Sequence, residues 1–152
     1  MAIKTISLNR RAYHDYDIHE SVEAGIVLTG SEIKSIRDGK VNIREAYARP
    51  QGGELWLFNA HIAHYANGNR YDHEPTRPRK LLLHRRQIDE LAGKVTQKGF
   101  TLAPLKLYLK NGIAKVELGL ARGKKLHDKR ESMARRQAER EMERAMKQVR
   151  IR

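Results

Sequence analysis

Leu105, Leu107 and Leu109 alternate with Lys106, Tyr108 and Lys110; after Asn111-Gly112, Ala114, Val116, Leu118 and Leu120 alternate with Lys115, Glu117 and Gly119. Two runs of period two joined by Asn-Gly predict an antiparallel hairpin, because both turn residues accept the positive φ of a type I′ turn. The two-residue loop sets the register. Tyr108 should face Lys115, Lys106 should face Glu117, and Leu107 should face Val116 on the buried side, with the lysine face wet. A second hairpin is expected to turn at Gly52-Gly53 between Val41 to Ala48 and Glu54 to Phe58. A further strand is expected from Tyr16 to Leu28, with Gly25 marking a bulge or bend.

Two short helices interrupt the strands. Ser31 is placed to cap the first, which carries Ile33 and Ile36, has Glu32 where the dipole favours a carboxylate, and stops at Gly39. The second runs from Arg85 to Ala92, with Ile88, Leu91 and Ala92 on one face and Gly93 as its stop. Ahead of it, Ala66 to Pro78 is rich in turn signals (Asn67-Gly68, Pro75, Pro78) and carries Arg70, Tyr71 and Arg77, with Arg79 at its end. A loop of that length is usually functional or disordered. Short strands and two helices over residues 1–121 predict an all-β domain, a closed or partly open antiparallel barrel. The OB type is one candidate; an SH3-like barrel and an α+β sandwich fit the same pattern.

Beyond Ala121 the pattern changes. Ala134, Ala138, Met142, Ala145 and Val149 follow helical spacing, but the segment has no aromatic residue and no proline. It cannot bury enough surface to fold alone, so residues 122–152 are expected to be a basic tail that is disordered or conditionally helical, appended to a barrel of residues 1–121.

Charge changes the picture next. The chain has 31 Lys and Arg against 18 Asp and Glu, a net charge of +13 over 152 residues. From Arg122 onward there are 12 basic and 5 acidic residues, so the tail holds about half of that excess. An imbalance of this kind points to a polyanionic partner rather than to a fold. No apolar run approaches membrane-spanning length, and Met1 to Arg11 has no apolar signal region, so a cytoplasmic protein is expected. The absence of cysteine excludes disulfides, thiolate metal sites and cysteine nucleophiles.

Candidate chemistry is sparse. Gly119 to Lys125 has the wrong spacing for a phosphate loop and no Ser or Thr after the lysine. His61 and His64 would lie on opposite faces of a strand, and His14, Asp15, His19 and Glu20 form only a loose cluster, so a metal-dependent nuclease is a weak alternative. No catalytic constellation, metal site or cofactor is expected. Three basic elements suit nucleic acid better: Asn9 to Tyr16, Arg77-Pro78-Arg79-Lys80, and Arg122 to Arg130. They combine Lys and Arg for phosphates with Tyr and His for stacking. A ribosomal or assembly protein would share these features.

Several of these runs, in order, resemble the small protein B family, the SsrA-binding proteins. They are Asn9 to Ala12 with His14 to Tyr16, Glu23 to Ser35, Arg77 to His84, Pro104 to Tyr108, and Ala114 to Arg130. The resemblance covers almost the whole chain. It implies an OB-like barrel with a tail disordered in isolation, and a non-enzymatic, monomeric RNA-binding adaptor of trans-translation. Its partners would be the tRNA-like domain of transfer-messenger RNA and the stalled ribosome, whose small-subunit RNA, decoding centre and messenger channel the tail would reach. RNA-grip positions carried over from the family fall on His14, Glu23, Lys34, Leu82, His84, Lys115, Arg122, Lys124 and Lys125. The ribosome-facing tail motif falls on His127, Asp128, Lys129 and Arg130. Tyr13 stands where the family mostly has a basic residue, Asp17 where an aromatic is common, and Arg122 where Lys is usual.

Overall fold

The computed structural model describes residues 2–65, 73–123 and 126–151, with backbone alone for 97–98, 126–132 and 147–151. The turn expected at Asn67-Gly68, with Arg70 and Tyr71, lies outside the described residues, as do Lys124 and Lys125. The chain divides into two compact units, Met1–Arg122 and Gly123–Arg152.

The first unit runs β1 (Ile3–Leu8), α1 (Arg10–Asp15), β2 (Tyr16–Ile26), α2 (Gly30–Arg37), β3 (Val41–Asn42), β4 (Tyr47–Gln51), β5 (Glu54–Phe58), β6 (His61–Ile62), β7 (Arg79–Leu82), α3 (Arg85–Lys98), β8 (Thr101–Lys110) and β9 (Ile113–Gly123). The sheet order is β1-β8-β4-β5-β7-β2-β9, and β9 also pairs with β8. That last pairing closes six strands into an antiparallel barrel of the OB type, with β1 lying along β8 as an extra strand. Closure leaves the ring without edges. β3 and β6 form a separate two-stranded ladder.

The β8–β9 hairpin has the register expected from its two-residue turn: Tyr108 opposite Lys115, Lys106 opposite Glu117, and Leu107 opposite Val116. Asn111 and Gly112 both have positive φ, at 51° and 80°. Two expectations about this hairpin change. The register shifts between Pro104 and Lys106, and this bulge moves Leu105 out of the Leu107 set into a small cluster with Ala12 and Ala103. Tyr108 is not wet but 5% exposed.

The core gathers Leu55, Leu57, Leu81, Leu102, Leu107 and Leu118 from the strands, Ile36 from α2, and Ile88 and Leu91 from α3. The expected strand over 41–48 is broken: Val41–Asn42 pairs with β6, and only residues from Tyr47 onward pair across Gly52-Gly53. Thr29, not Ser31, caps α2, since Thr29 Oγ1 accepts from the Glu32 N–H at 3.4 Å while Glu32 Oε1 accepts from the Thr29 N–H at 2.7 Å. This reciprocal pairing is a capping box. α3 does not stop at Gly93, because no backbone requirement falls there; it ends at Gly99, whose φ of 68° is the left-handed cap. α1 is an additional helix, capped by buried Asn9. The Asn9 amide also donates to the carbonyls of Pro104 at 2.8 Å and Ile43 at 3.2 Å, so Asn9 ties the barrel together rather than facing a partner.

The second unit is α4 (Leu126–Ile151), one continuous helix whose described side chains, 133–146, are all exposed. The tail is thus helical in the structure, and Ala134, Ala138 and Met142 stand along one side of it.

Candidate RNA-contacting face

Glu23 on β2, Leu82 on β7 with His84 just after it, and Lys115 on β9 come from three distant parts of the chain, and all four line one open groove of about 420 Å³. Gly25, Leu83 and Gln87 complete it. The barrel's strand order puts them there. β7 pairs with β2 so that Gly25 faces Leu82, and β2 lies beside β9. A Cβ on Gly25 would stand 3.2 Å from Leu82 Cβ, so glycine lets the two strands meet with the leucine turned outward. Leu82 is 51% exposed while its neighbour Leu81 is fully buried. It is therefore not a core residue. His84 sits at the N-cap of α3, where its backbone N–H donates to Gln87 Oε1 at 3.1 Å.

The acid in this groove is held by its neighbours. The Tyr108 hydroxyl donates to Glu23 Oε2 at 2.6 Å, and Lys110 Nζ donates to the same oxygen at 3.4 Å. The tyrosine hydrogen bond, with the charges of Lys110 and Lys115, holds the Glu23 carboxyl below the usual carboxylate range. Burial and Glu23 together push the Tyr108 hydroxyl well above its ordinary value, so it stays a donor. Both contacts use Oε2, and a carboxylate accepts at two oxygens, so acceptor capacity remains at Oε1 for an amino group such as that of a nucleobase. The groove combines an anchored acceptor, an exposed apolar side chain, an imidazole and an ammonium group.

Of the other carried-over positions, His14, Lys34 and Arg122 do not line the groove. His14 lies on α1 with Nδ1 2.8 Å from Asp15 Oδ1. Lys34, on α2, places its Nζ 5.4 Å from the Tyr65 ring centre. Arg122, the last residue but one of β9, places its guanidinium 4.6 Å from the Phe100 ring, which meets His19 edge-on. His127, Asp128, Lys129 and Arg130 fall in the first turns of α4, and their side chains lie outside what is described.

One basic element is reassigned. Arg79 is fully buried: its Nε donates to Glu32 Oε2 at 2.5 Å, Nη1 to the Ala60 carbonyl at 2.7 Å, and Nη2 to the Pro75 carbonyl at 3.0 Å. Arg77 Nη2 reaches Glu32 Oε1 at 2.6 Å. Of the run Arg77 to Lys80, Arg79 therefore serves the fold, stapling the segment before β7 to α2. His73 adds to the staple, with Nε2 2.8 Å from the Ile62 carbonyl and Nδ1 2.8 Å from Ser31 Oγ. Sequence reading missed Tyr108 as the holder of Glu23, because their meeting needs β2 to close against β9. Among the described residues no group of three or more His, Asp or Glu could hold a metal ion.

A closed OB-type barrel bearing such a groove, followed by a basic helix, defines a small barrel-and-tail protein whose groove has the chemistry to meet RNA. The family model described as SmpB protein matches residues 6–148, and the chain belongs to that family. It is 59% identical over 145 residues to the SsrA-binding protein of Shouchella clausii, covering 95% of this chain and 93% of that one. It is 60% identical over 144 residues to the SsrA-binding protein of Carboxydothermus hydrogenoformans, covering 95% and 97%. A solved chain described as "tmRNA-SmpB: a journey to the center of the bacterial ribosome" superposes with a TM-score of 0.68 at 52% identity, covering 83% of this chain and 92% of that one. No helix among the described residues is long and apolar enough to cross a membrane.

Proposed function

We propose that this chain is the RNA-binding adaptor of trans-translation: it binds the tRNA-like domain of transfer-messenger RNA and delivers it to stalled ribosomes for rescue and peptide tagging. The observation that carries this reading is membership of the SmpB family over nearly the full length, joined to a groove in which four positions from three separate stretches of the chain converge. Glu23 accepts from the RNA, Lys115 and His84 meet phosphate or base, and Leu82 offers an apolar contact. His14, Lys34, Arg122, Lys124 and Lys125 are the further grip positions. The chain performs no catalysis of its own, needs no cofactor, and works in the cytoplasm as a monomer.

The barrel of residues 1–121, with Arg122, Lys124 and Lys125 at the start of the tail, grips the RNA, and the rest of residues 122–152 serves the ribosome. α4 supports this division: a cationic helix with an Ala and Met stripe suits the messenger channel, a tunnel walled by phosphates, with His127, Asp128, Lys129 and Arg130 at its entry. Truncation after Lys125 tests it. Binding of the tRNA-like domain, measured by mobility shift, should persist within a fewfold, while tagging of stalled peptides is lost. Collapse of RNA binding with the tail would refute the division.

A further inference from the structure

The outward face of β4, β5 and β7 carries a feature that the groove does not include. Arg49 stands opposite Trp56, and Trp56 stands opposite Lys80. One row across three strands thus reads cation, indole, cation. In the next row Tyr47 and Phe58 are stacked with ring centres 5.5 Å apart and planes at 20°, and the Arg49 guanidinium lies 4.6 Å from the Phe58 ring centre. Their neighbours in sequence, Ala48, Leu55, Leu57, Arg79 and Leu81, are buried, so the strand alternation turns this row outward. Glu54 lies 3.4 Å from Arg85 Nη2 and 3.9 Å from Lys80 Nζ, so it is shared between two cations while Arg49 stands on the aromatic side. Lys80 and Leu82 are two apart on β7 and share a face, so the row continues the Leu82 groove.

A flat indole with a cation on either side matches an unpaired nucleotide: the ring takes the base by stacking, and the cations take the flanking phosphates. A protein partner would call for apolar area rather than paired cations. We propose that Trp56, flanked by Arg49 and Lys80, stacks an unpaired base of the transfer-messenger RNA held in the Leu82 groove. This proposal rests on the function given above and adds a contact to it.

The chain has a single tryptophan, so its emission reports on this position alone. A transcript of the tRNA-like domain titrated into the full-length protein should quench Trp56 emission in step with the mobility shift, whereas inorganic polyphosphate should not. Trp56→Leu should weaken binding roughly tenfold, as expected for loss of one base–aromatic stack, and Trp56→Phe should recover most of it. Arg49→Gln with Lys80→Gln keeps the indole, and should weaken both binding and quenching, with far-UV circular dichroism unchanged. Binding of the transcript with no change in Trp56 emission overturns this proposal and leaves the adaptor function standing. Quenching by small ribosomal subunits but not by the transcript, or by a protein partner alone, overturns it as well. Failure of the wild-type protein to bind the transcript overturns the adaptor function itself, and this proposal with it.

Discussion

Glu32 is fully buried and carries three kinds of contact at once: the α2 capping box, Arg79 inside the fold, and Arg77 at its margin. Burial raises its carboxyl, but the hydrogen bonds from Arg77, Thr29 and Arg79 outweigh that and hold it below the ordinary value of 4.5. A carboxyl with a lowered folded value stabilises the fold above its unfolded value, and that contribution is lost as pH falls through the folded one. Glu32→Gln leaves Arg79 buried without its counter-charge. Such a break costs about 3–5 kcal/mol, to be read as a shifted denaturant midpoint at neutral pH. The difference between variant and wild type should shrink in acid; a difference that is constant with pH would contradict the ion pair as the cause. Tyr108 sets up the second residue-scale expectation. In Tyr108→Phe the Glu23 carboxyl should titrate closer to its ordinary range by carbon-detected NMR, and an unchanged titration would show that Lys110 and Lys115 hold it without the tyrosine.

Elements were legible in the sequence where a local rule decided them. Asn111-Gly112 set the β8–β9 register, and the alternation around Leu107 set its buried face. The rule failed at Leu105, because a bulge is one extra residue and leaves the alternation looking intact. It failed again at Gly93, since glycine inside a helix is tolerated and only the positive φ at Gly99 ends the element. Thr29 and Ser31 are both good caps, and the reciprocal contact with Glu32 selects Thr29. The bulge makes its own prediction. Leu105 is drawn against Gly119, where an added Cβ would lie 2.9 Å from Leu105 Cδ1. Leu105 is 1% exposed and has little room to yield. Gly119→Ala should therefore cost about 1–3 kcal/mol as overpacking, measured by thermal or urea unfolding. A neutral result would mean that Leu105 can turn aside.

At the scale of the whole molecule, the charge excess splits between two units, and closure of the barrel is what builds the face. Sequence order keeps Glu23, the neighbours Leu82 and His84, and Lys115 far apart, and only the ring β9-β8-β4-β5-β7-β2 brings them to one groove. No local pattern contains that information, so their convergence was readable only through the family resemblance. Arg79 shows the converse: charge in a basic run reads as a surface feature until Glu32 is found beside it. The central claim is that this barrel and tail recognise one RNA rather than polyanions at large. Sequencing the RNA that co-purifies with the full-length protein tests that claim most directly. Transfer-messenger RNA should be enriched far above ribosomal RNA, and a Leu82→Asp variant should lose that enrichment; equal recovery of the two RNAs by the wild-type protein would contradict the account.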